Sequence, residues 1–320
     1  MSLNALQLIT LQQFDRVGAA TVKSLYDYSC KADLHIESSA DDLLTLLCDC
    51  KKLGVIKRIN PQNYSIDYIE QKLSYTQRML ERCNELSIRV MTQDDEFFPK
   101  ALKRILNSDG KDVAPLLLYA KGDVSILNQK SVALIGTRKP TLNGSKAGEI
   151  FSSMLAKEGF NIVSGLALGC DTAAHKGALS AGGLTTAIVA TGLDMPMFPK
   201  ENQNLAYEII DNGGVLLSEY ALQTPLTPYQ LVDRDRLQSG MSLGTVVIQT
   251  TVNGGTMHAV NTALANHRLL YAVDYKGSEG NCEQVYGNRI LLEEKKALPL
   301  QRQLIGECIE SLNKEYEKYL

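Results

Sequence analysis

Over the first hundred residues, apolar positions recur at helical spacing. Leu3, Leu6, Leu8 and Leu11 open the pattern, and AATVKSLYDY and SADDLLTLLCDCKKL continue it, which predicts a small helical N-terminal domain. Ser39, ahead of Ala40, Asp41 and Asp42, reads as an N-cap followed by acidic residues beside the positive helix end. The stretch FDRVGAATVKSLYDY holds Gly18, one glycine of the pair with which a helix-hairpin-helix brings backbone amides to a DNA phosphate. A plain helix pair joined at a glycine turn is the favoured reading, because motifs this short recur by chance. Between Asn107 and Pro115 the run NSDGKDVAP is rich in turn formers and nearly free of apolar residues, so a linker or long surface loop is expected there, with the domain boundary near it.

From Ser131 the texture changes. SVALIG, FNIVSG, LTTAIVA, GVLLSE, GTVVIQT and RLLYAVD are strand-length apolar runs, with helical segments such as KAGEIFSSMLAKEG and NQNLAYEIIDNG between them. Nearly continuous apolar strands alternating with helices imply a mostly parallel sheet covered on both faces, a doubly wound α/β domain. Ligands of such domains bind beyond the carboxyl ends of the strands. At the C-terminus Leu304, Ile305, Cys308, Ile309, Leu312 and Tyr316 form one helical stripe, expected to pack on the body or a sister subunit rather than on a membrane.

Composition narrows the class. The chain has 320 residues, 44% hydrophobic and 22% charged, the profile of an ordinary soluble globule of two domains. A net charge of -3 does not announce a nucleic-acid-coating surface, so any basic patch is local. Seven scattered cysteines without CxxC spacing, and no secretory leader, read as reduced cytoplasmic thiols. Cys48, Asp49 and Cys50 lack a second ligand pair at zinc spacing, so no metal is expected. No apolar run approaches the ~18 residues that span a bilayer.

The turn GTRKPTLNG after the first strand of the series carries the candidate chemistry. A dinucleotide site would place G-x-G-x-x-G there, with an acidic residue about 20 positions on. Two of those glycines are missing and Arg138 stands where the backbone should be bare, so an NAD or FAD dehydrogenase is disfavoured and no cofactor is implied. The turn offers instead a helix N-terminus, capped by Asn143 or Ser145, beside Arg138 and Lys139, and this combination favours a phosphate. Alone, two such cations are ordinarily solvated surface charges. Four more loops at the same sheet edge add glycines and cations: Gly165 and Gly169 before a helix begun by Asp171 or Thr172, then Lys200, then Tyr229, Arg234 and Arg236, then TTVNGGT. A phosphate-lined cleft accounts for all of them together. Catalysis finds no constellation: His175 has no nucleophile spaced to accompany it, Ser164 lacks the preceding glycine of a nucleophile elbow, and Cys170 has no activating partner.

In order and at compatible spacing, GTRKPT, SGLALGCDTAAHKGAL, TGLDMPMFPKEN, GGVLLSEY, RDRLQSGMSLGTVVIQ and the NGGT turn resemble the DNA-processing protein A (DprA, or Smf) family, with DDEFFPKALKRI and PLLLYAKGD as its lead-in. The resemblance runs from about residue 90 to 275. It implies a Rossmann-like domain over residues 86–300, a small helical domain over 1–85 and a C-terminal helix over 301–320. It further implies a binder of single-stranded DNA without catalytic activity, a cytoplasmic homodimer and a partnership with a RecA-type recombinase during DNA uptake. By matched position Arg138 is the glycine-loop arginine on the phosphate backbone, and Gly136, Gly165, Gly169, Gly254 and Gly255 are the glycine turns. The candidate phosphate-binding set is thus Gly136, Thr137, Arg138, Lys139, Ser164, Gly165, Gly169, Lys200, Tyr229, Arg234, Arg236, Gly254, Gly255 and Thr256.

The chain departs from that pattern. Where the family has an aromatic residue, a proline and R-N-R, it has Leu231, Val232, Asp233, Arg234, Asp235 and Arg236, whose two carboxylates offset the arginines and imply weaker phosphate affinity. Tyr229 is the candidate stacking surface. AVDY replaces the family's A-V-P-G, and the chain ends without the winged-helix domain of many relatives. The rival function is nucleotide sensing in the same pocket, in phage defence. Hydrolysis of the LOG type is disfavoured, because Ala259 occupies the place of the catalytic glutamate in P-G-G-x-G-T-x-x-E.

Overall fold

The computed structural model describes residues 3–34 and 36–318, so the ends of the segments 1–85 and 301–320, and residue 35, lie outside the described residues. The chain divides into two compact units, one of residues 1–96 with 116–118, the other of residues 97–115 with 119–320. The turn-rich run 107–115 lies within the second unit.

In the first unit, helices α1 (Ala5–Gln12), α2 (Ala19–Lys31), α3 (Ala40–Lys52) and α4 (Ile66–Glu85) precede strand β1 (Arg89–Thr92). Their starts are set by side-chain caps. Asn4 Oδ1 accepts from Gln7 N at 3.0 Å while Gln7 Oε1 accepts from Asn4 N at 2.8 Å, a reciprocal capping box. Ser39 Oγ accepts from Asp42 N at 3.1 Å, and Ser65 Oγ from Tyr68 N at 3.2 Å. Leu8, Leu11, Val22, Leu25, Leu43, Leu47 and Ile69 are buried. Gly18 is the N-cap of α2 with ordinary extended angles (φ -90°), and the left-handed residue of the α1–α2 connection is Arg16 (φ 65°). The turn therefore does not require its glycine.

The second unit holds the α/β domain. Its elements are β2 (Leu117–Gly122), β3 (Ser131–Ile135), α5 (Leu142–Lys157), β4 (Asn161–Ser164), α6 (Cys170–Ser180), β5 (Thr185–Val189), α7 (Gln203–Asp211), β6 (Val215–Ser218), α8 (Pro228–Asp233), α9 (Asp235–Met241), β7 (Gly244–Val247), α10 (Thr256–Ala265), β8 (Leu269–Val273), α11 (Tyr286–Glu293), β9 (Leu298–Leu300) and α12 (Ile305–Glu317). The sheet runs β2-β6-β5-β4-β3-β7-β8-β9, parallel throughout except for the antiparallel β2–β6 pair. From β3 the chain winds outward through β4, β5 and β6, then returns to lay β7 on the other side of β3. The junction of β3 and β7 is the topological switch point, where the outgoing loops part and leave a crevice.

Alternation along β3 covers both faces. Val132 and Leu134 join Phe151 and Leu155 of α5, Ala174 and Ala178 of α6, and Ile305, Cys308 and Leu312 of α12. Ala133 and Ile135 meet Ala259, Val260 and Ala263 of α10 with Leu291 of α11. The apolar stripe of α12 thus closes one face of this unit's core, with Ile309 and Tyr316 partly buried against it. No helix among the described residues is long and apolar enough to cross a membrane.

Candidate nucleic-acid interface

The loop after β3 is held by backbone and amide contacts before any ligand is considered. Thr137 N donates to Gln249 O at 2.7 Å, and Cys170 N donates to Thr137 O at 3.1 Å. Gly136 is compelled by this packing, since a Cβ there would lie 2.5 Å from Cys170 Sγ and 2.8 Å from Gln249 O. Gly169 has φ +84°, and its Cβ would lie 2.5 Å from Thr137 O. Thr141 caps α5, its hydroxyl accepting from Gly144 N at 3.0 Å. The expected caps Asn143 and Ser145 lie inside the helix, because Pro140 ends the loop and α5 starts at Leu142. Gln249 fixes the cap: its Oε1 accepts from Thr141 N and its Nε2 donates to Thr141 Oγ1, both at 2.9 Å.

At the switch point lies a cavity of about 500 Å³. One wall is Gly136, Thr137, Arg138 and Lys139; the opposite wall is Thr250, Thr251, Gly254, Gly255 and Thr256, where α10 begins without a side-chain cap. Arg234, Asp235, Gln238 and Asp171 complete the lining with Leu231 and Val232. Arg138 and Lys139 are exposed, and among the described residues neither has an ion pair.

Arg234 is different in kind. Its side chain is only 4% exposed, with Nη1 3.3 Å from Asp235 Oδ1 and 3.9 Å from Asp171 Oδ2. Neither contact is aligned as a hydrogen bond, and among the described residues Nε and Nη1 have no hydrogen-bond partner. Gly165 makes room for this guanidinium: a Cβ there would fall 1.3 Å from Arg234 Nη1. Burial raises the Asp171 carboxyl above its ordinary value, with Arg234 pulling it back. Asp235 is pushed up to about 6, chiefly by burial and against the pull of Arg234, with further opposing contributions from Asp171 and Arg138.

Eight of the sequence-derived candidates therefore converge on the cavity: Gly136, Thr137, Arg138, Lys139, Arg234, Gly254, Gly255 and Thr256. Gly165 and Gly169 shape it from behind. Tyr229 is 74% exposed on α8, whose Pro228, Leu231 and Val232 line the cavity. Lys200 is exposed in a 3-10 turn after β5 and is absent from the lining. Ser164 is buried, its hydroxyl donating to Leu134 O at 2.7 Å. Arg236 points elsewhere: Nη2 meets Glu219 Oε2 at 2.5 Å, Nη1 meets Asp233 Oδ2 at 3.2 Å and Nε donates to Val113 O at 3.1 Å. Sequence reasoning missed Gln238 and Asp171 as lining residues, and Gln249 as the residue that fixes the Thr141 cap beside them. A polar residue closing an apolar strand was the available signal for Gln249.

His175 and Cys170 have structural surroundings. His175 is fully buried with Nδ1 2.7 Å from Thr185 Oγ1, and burial pulls its pKa down to about 3. Since the Thr185 hydroxyl donates to Ile162 O, Nδ1 carries the proton. Burial pushes the Cys170 thiol up to about 12.

Residues 89–309 match the profile of the DNA recombination-mediator protein A family. The chain belongs to this family. It is 31% identical over 209 residues to protein Smf of Escherichia coli, covering 64% of this chain and 54% of Smf, so it spans just over half the length of that relative. With the DNA processing protein DprA of Bacillus subtilis it shares 29% identity over 244 residues, 76% of each chain. The fold is that of DNA processing protein A from Streptococcus pneumoniae (TM-score 0.74, 24% identity, 94% of this chain and 95% of that one). The Helicobacter pylori DNA processing protein A, solved for its single-stranded DNA binding mode, aligns at TM-score 0.59 with 29% identity over 71% of this chain and 97% of its own. The family's Rossmann-like domain is thus the sheet that carries the cavity.

Proposed function

We propose that the switch-point cavity holds the sugar-phosphate backbone of single-stranded DNA, and that the protein is a recombination mediator that binds DNA without chemical turnover. The observation that carries this reading is Arg234, a buried guanidinium with unmet donors lining the same cavity as Arg138, Lys139 and the start of α10. A buried cation with unsatisfied N–H groups is costly unless an acceptor arrives, and phosphate oxygens are suitable acceptors. Family membership and the Helicobacter pylori relative's single-stranded DNA binding point the same way. Bases would then face outward, toward the exposed Tyr229 ring. On the same reading the protein works as a cytoplasmic homodimer that delivers bound strands to a RecA-type recombinase.

Fluorescence anisotropy with a labelled oligothymidylate, across a salt series, tests it. Arg138→Ala should weaken binding about tenfold at low salt and reduce the log–log salt slope by about one. Failure of the wild-type protein to bind any single strand at low salt rejects the reading. Saturation by a free mononucleotide in place of the oligonucleotide would favour nucleotide sensing, which a cavity of about 500 Å³ also accommodates.

A further inference from the structure

On the reading that an anionic strand occupies this cavity, we propose that Asp235 is its affinity-determining residue: the carboxylate is a built-in competitor for Arg234, and the strand is taken up together with one proton that neutralises it. The geometry is specific. Asp235 opens α9 directly after Arg234, and Oδ1 sits 3.3 Å from Nη1, the atom left without an aligned partner. Gln238 Nε2 donates to the same Oδ1 at 2.9 Å, so the carboxyl is held toward the guanidinium rather than turned to solvent. Its side chain is 16% exposed, yet it lines the cavity.

The charges that face it are few. Arg234 adjoins it, Asp171 approaches from α6, and Arg138 acts from the loop after β3. Lys139 lines the same wall as Arg138. From β3 and α10, which pack on α9, the lining residues Ile135, Thr256 and Ala259 carry no charge, His258 of α10 is exposed, and Lys100 of the 3-10 turn Lys100–Leu102, which also packs on α9, is exposed and absent from the lining. On α8, Asp233 is engaged by Arg236. Fully ionised, the inner wall therefore sets two carboxylates against one guanidinium, and a phosphate placed there meets repulsion from both.

One protonation resolves the conflict. With a hydrogen on Asp235 the wall is neutral, Arg234 is released to the ligand, and the carboxyl itself becomes a donor. The proton comes from solvent and returns to it on release; no bond in the strand changes. Burial already raises this carboxyl to about 6, so an incoming anion need raise it only modestly further for a proton to be taken up near neutrality.

Binding of labelled oligothymidylate, whose phosphates and bases do not titrate between pH 5 and 8.5, measures the effect at fixed ionic strength. The wild-type affinity should fall about tenfold as pH rises from 5.5 to 8, which corresponds to a strand that binds the protonated carboxyl about tenfold more tightly than the ionised one. Asp235→Asn should bind tightly with the carboxyl's share of that dependence gone, and Asp235→Ser replaces it should the asparagine variant fail to fold. Calorimetry at pH 6.5 in two buffers of different ionisation enthalpy should show about half a proton taken up per site by the wild type, as a shift of the carboxyl from about 6 by one unit requires, and none of that uptake in the variant. Identical pH profiles and proton counts overturn the inference while leaving strand binding intact. Absence of binding by both folded proteins at every pH overturns the reading of the cavity and this inference with it.

Discussion

Arg234 and Arg236 stand two positions apart, and their surroundings give them opposite duties. Arg236 is saturated by Glu219, Asp233 and two backbone carbonyls, whereas Arg234 is buried with donors unmet. Replacing Arg236 with Met would strand the partly buried Glu219, whose carboxyl burial already raises, and leaving such a group without its partner costs about 1–3 kcal/mol. Urea melts should show that loss, while the folded fraction keeps its oligonucleotide affinity. Gly165→Ala should act in the other way. Its methyl group would displace the Arg234 head, an overpacking cost of about 1–3 kcal/mol, and binding should weaken about tenfold in anisotropy. Arg138 was legible in the sequence because a strand end followed by glycine and two cations is a local signal. The burial of Arg234 was not, because the space it fills is supplied by a glycine 69 positions away on another loop.

At the scale of elements, the loop after β7 is anchored by α11, which packs on the same face of the sheet as α10. Asn288 of α11 is 1% exposed; its Oδ1 accepts from Thr250 N at 2.8 Å, and its Nδ2 donates to Val247 O, Ile248 O and Val273 O at 3.0–3.1 Å. Gly287 N adds a bond to Thr250 O at 2.9 Å. Asn288→Ala would leave the buried Thr250 amide unpaired at a cost of about 1–3 kcal/mol. The Thr250 amide should then exchange hydrogen faster, and oligonucleotide binding should weaken although the side chain itself does not line the cavity. Six strands, β3 to β8, were readable as uninterrupted apolar runs because each is buried on both faces. Strand β9, of three residues with Leu298 half exposed and Pro299 at its centre, carries no such run. The antiparallel direction of β2 depends on where the chain enters the sheet, which no local pattern records.

Across the whole molecule the net charge of -3 gives no general pull on a polyanion, so attraction has to come from the cluster at the switch point. The same cluster shapes stability against pH. His175 has an ordinary value of 6.5 and is drawn down to about 3 in the fold. Below pH 6.5 the unfolded chain therefore takes up a proton that the folded chain refuses, and stability falls as pH drops. Asp235 runs the opposite way, from an ordinary 3.8 to about 6. Its contribution is fully present below pH 3.8 and is lost as pH rises through 6, because the folded chain keeps a proton that the unfolded chain releases. Between about pH 4 and 6 the two slopes oppose each other. Asp235→Asn removes one of them, so its unfolding free energy should gain on the wild type by up to about 1.4 kcal/mol per pH unit across that window and then run parallel above it. Urea titrations of both proteins at pH 4, 5, 6 and 7, without DNA, measure the difference directly. A constant offset at all four values would mean that burial does not raise the Asp235 carboxyl in the folded chain, and that before a strand arrives this carboxylate is already charged from pH 5 upward.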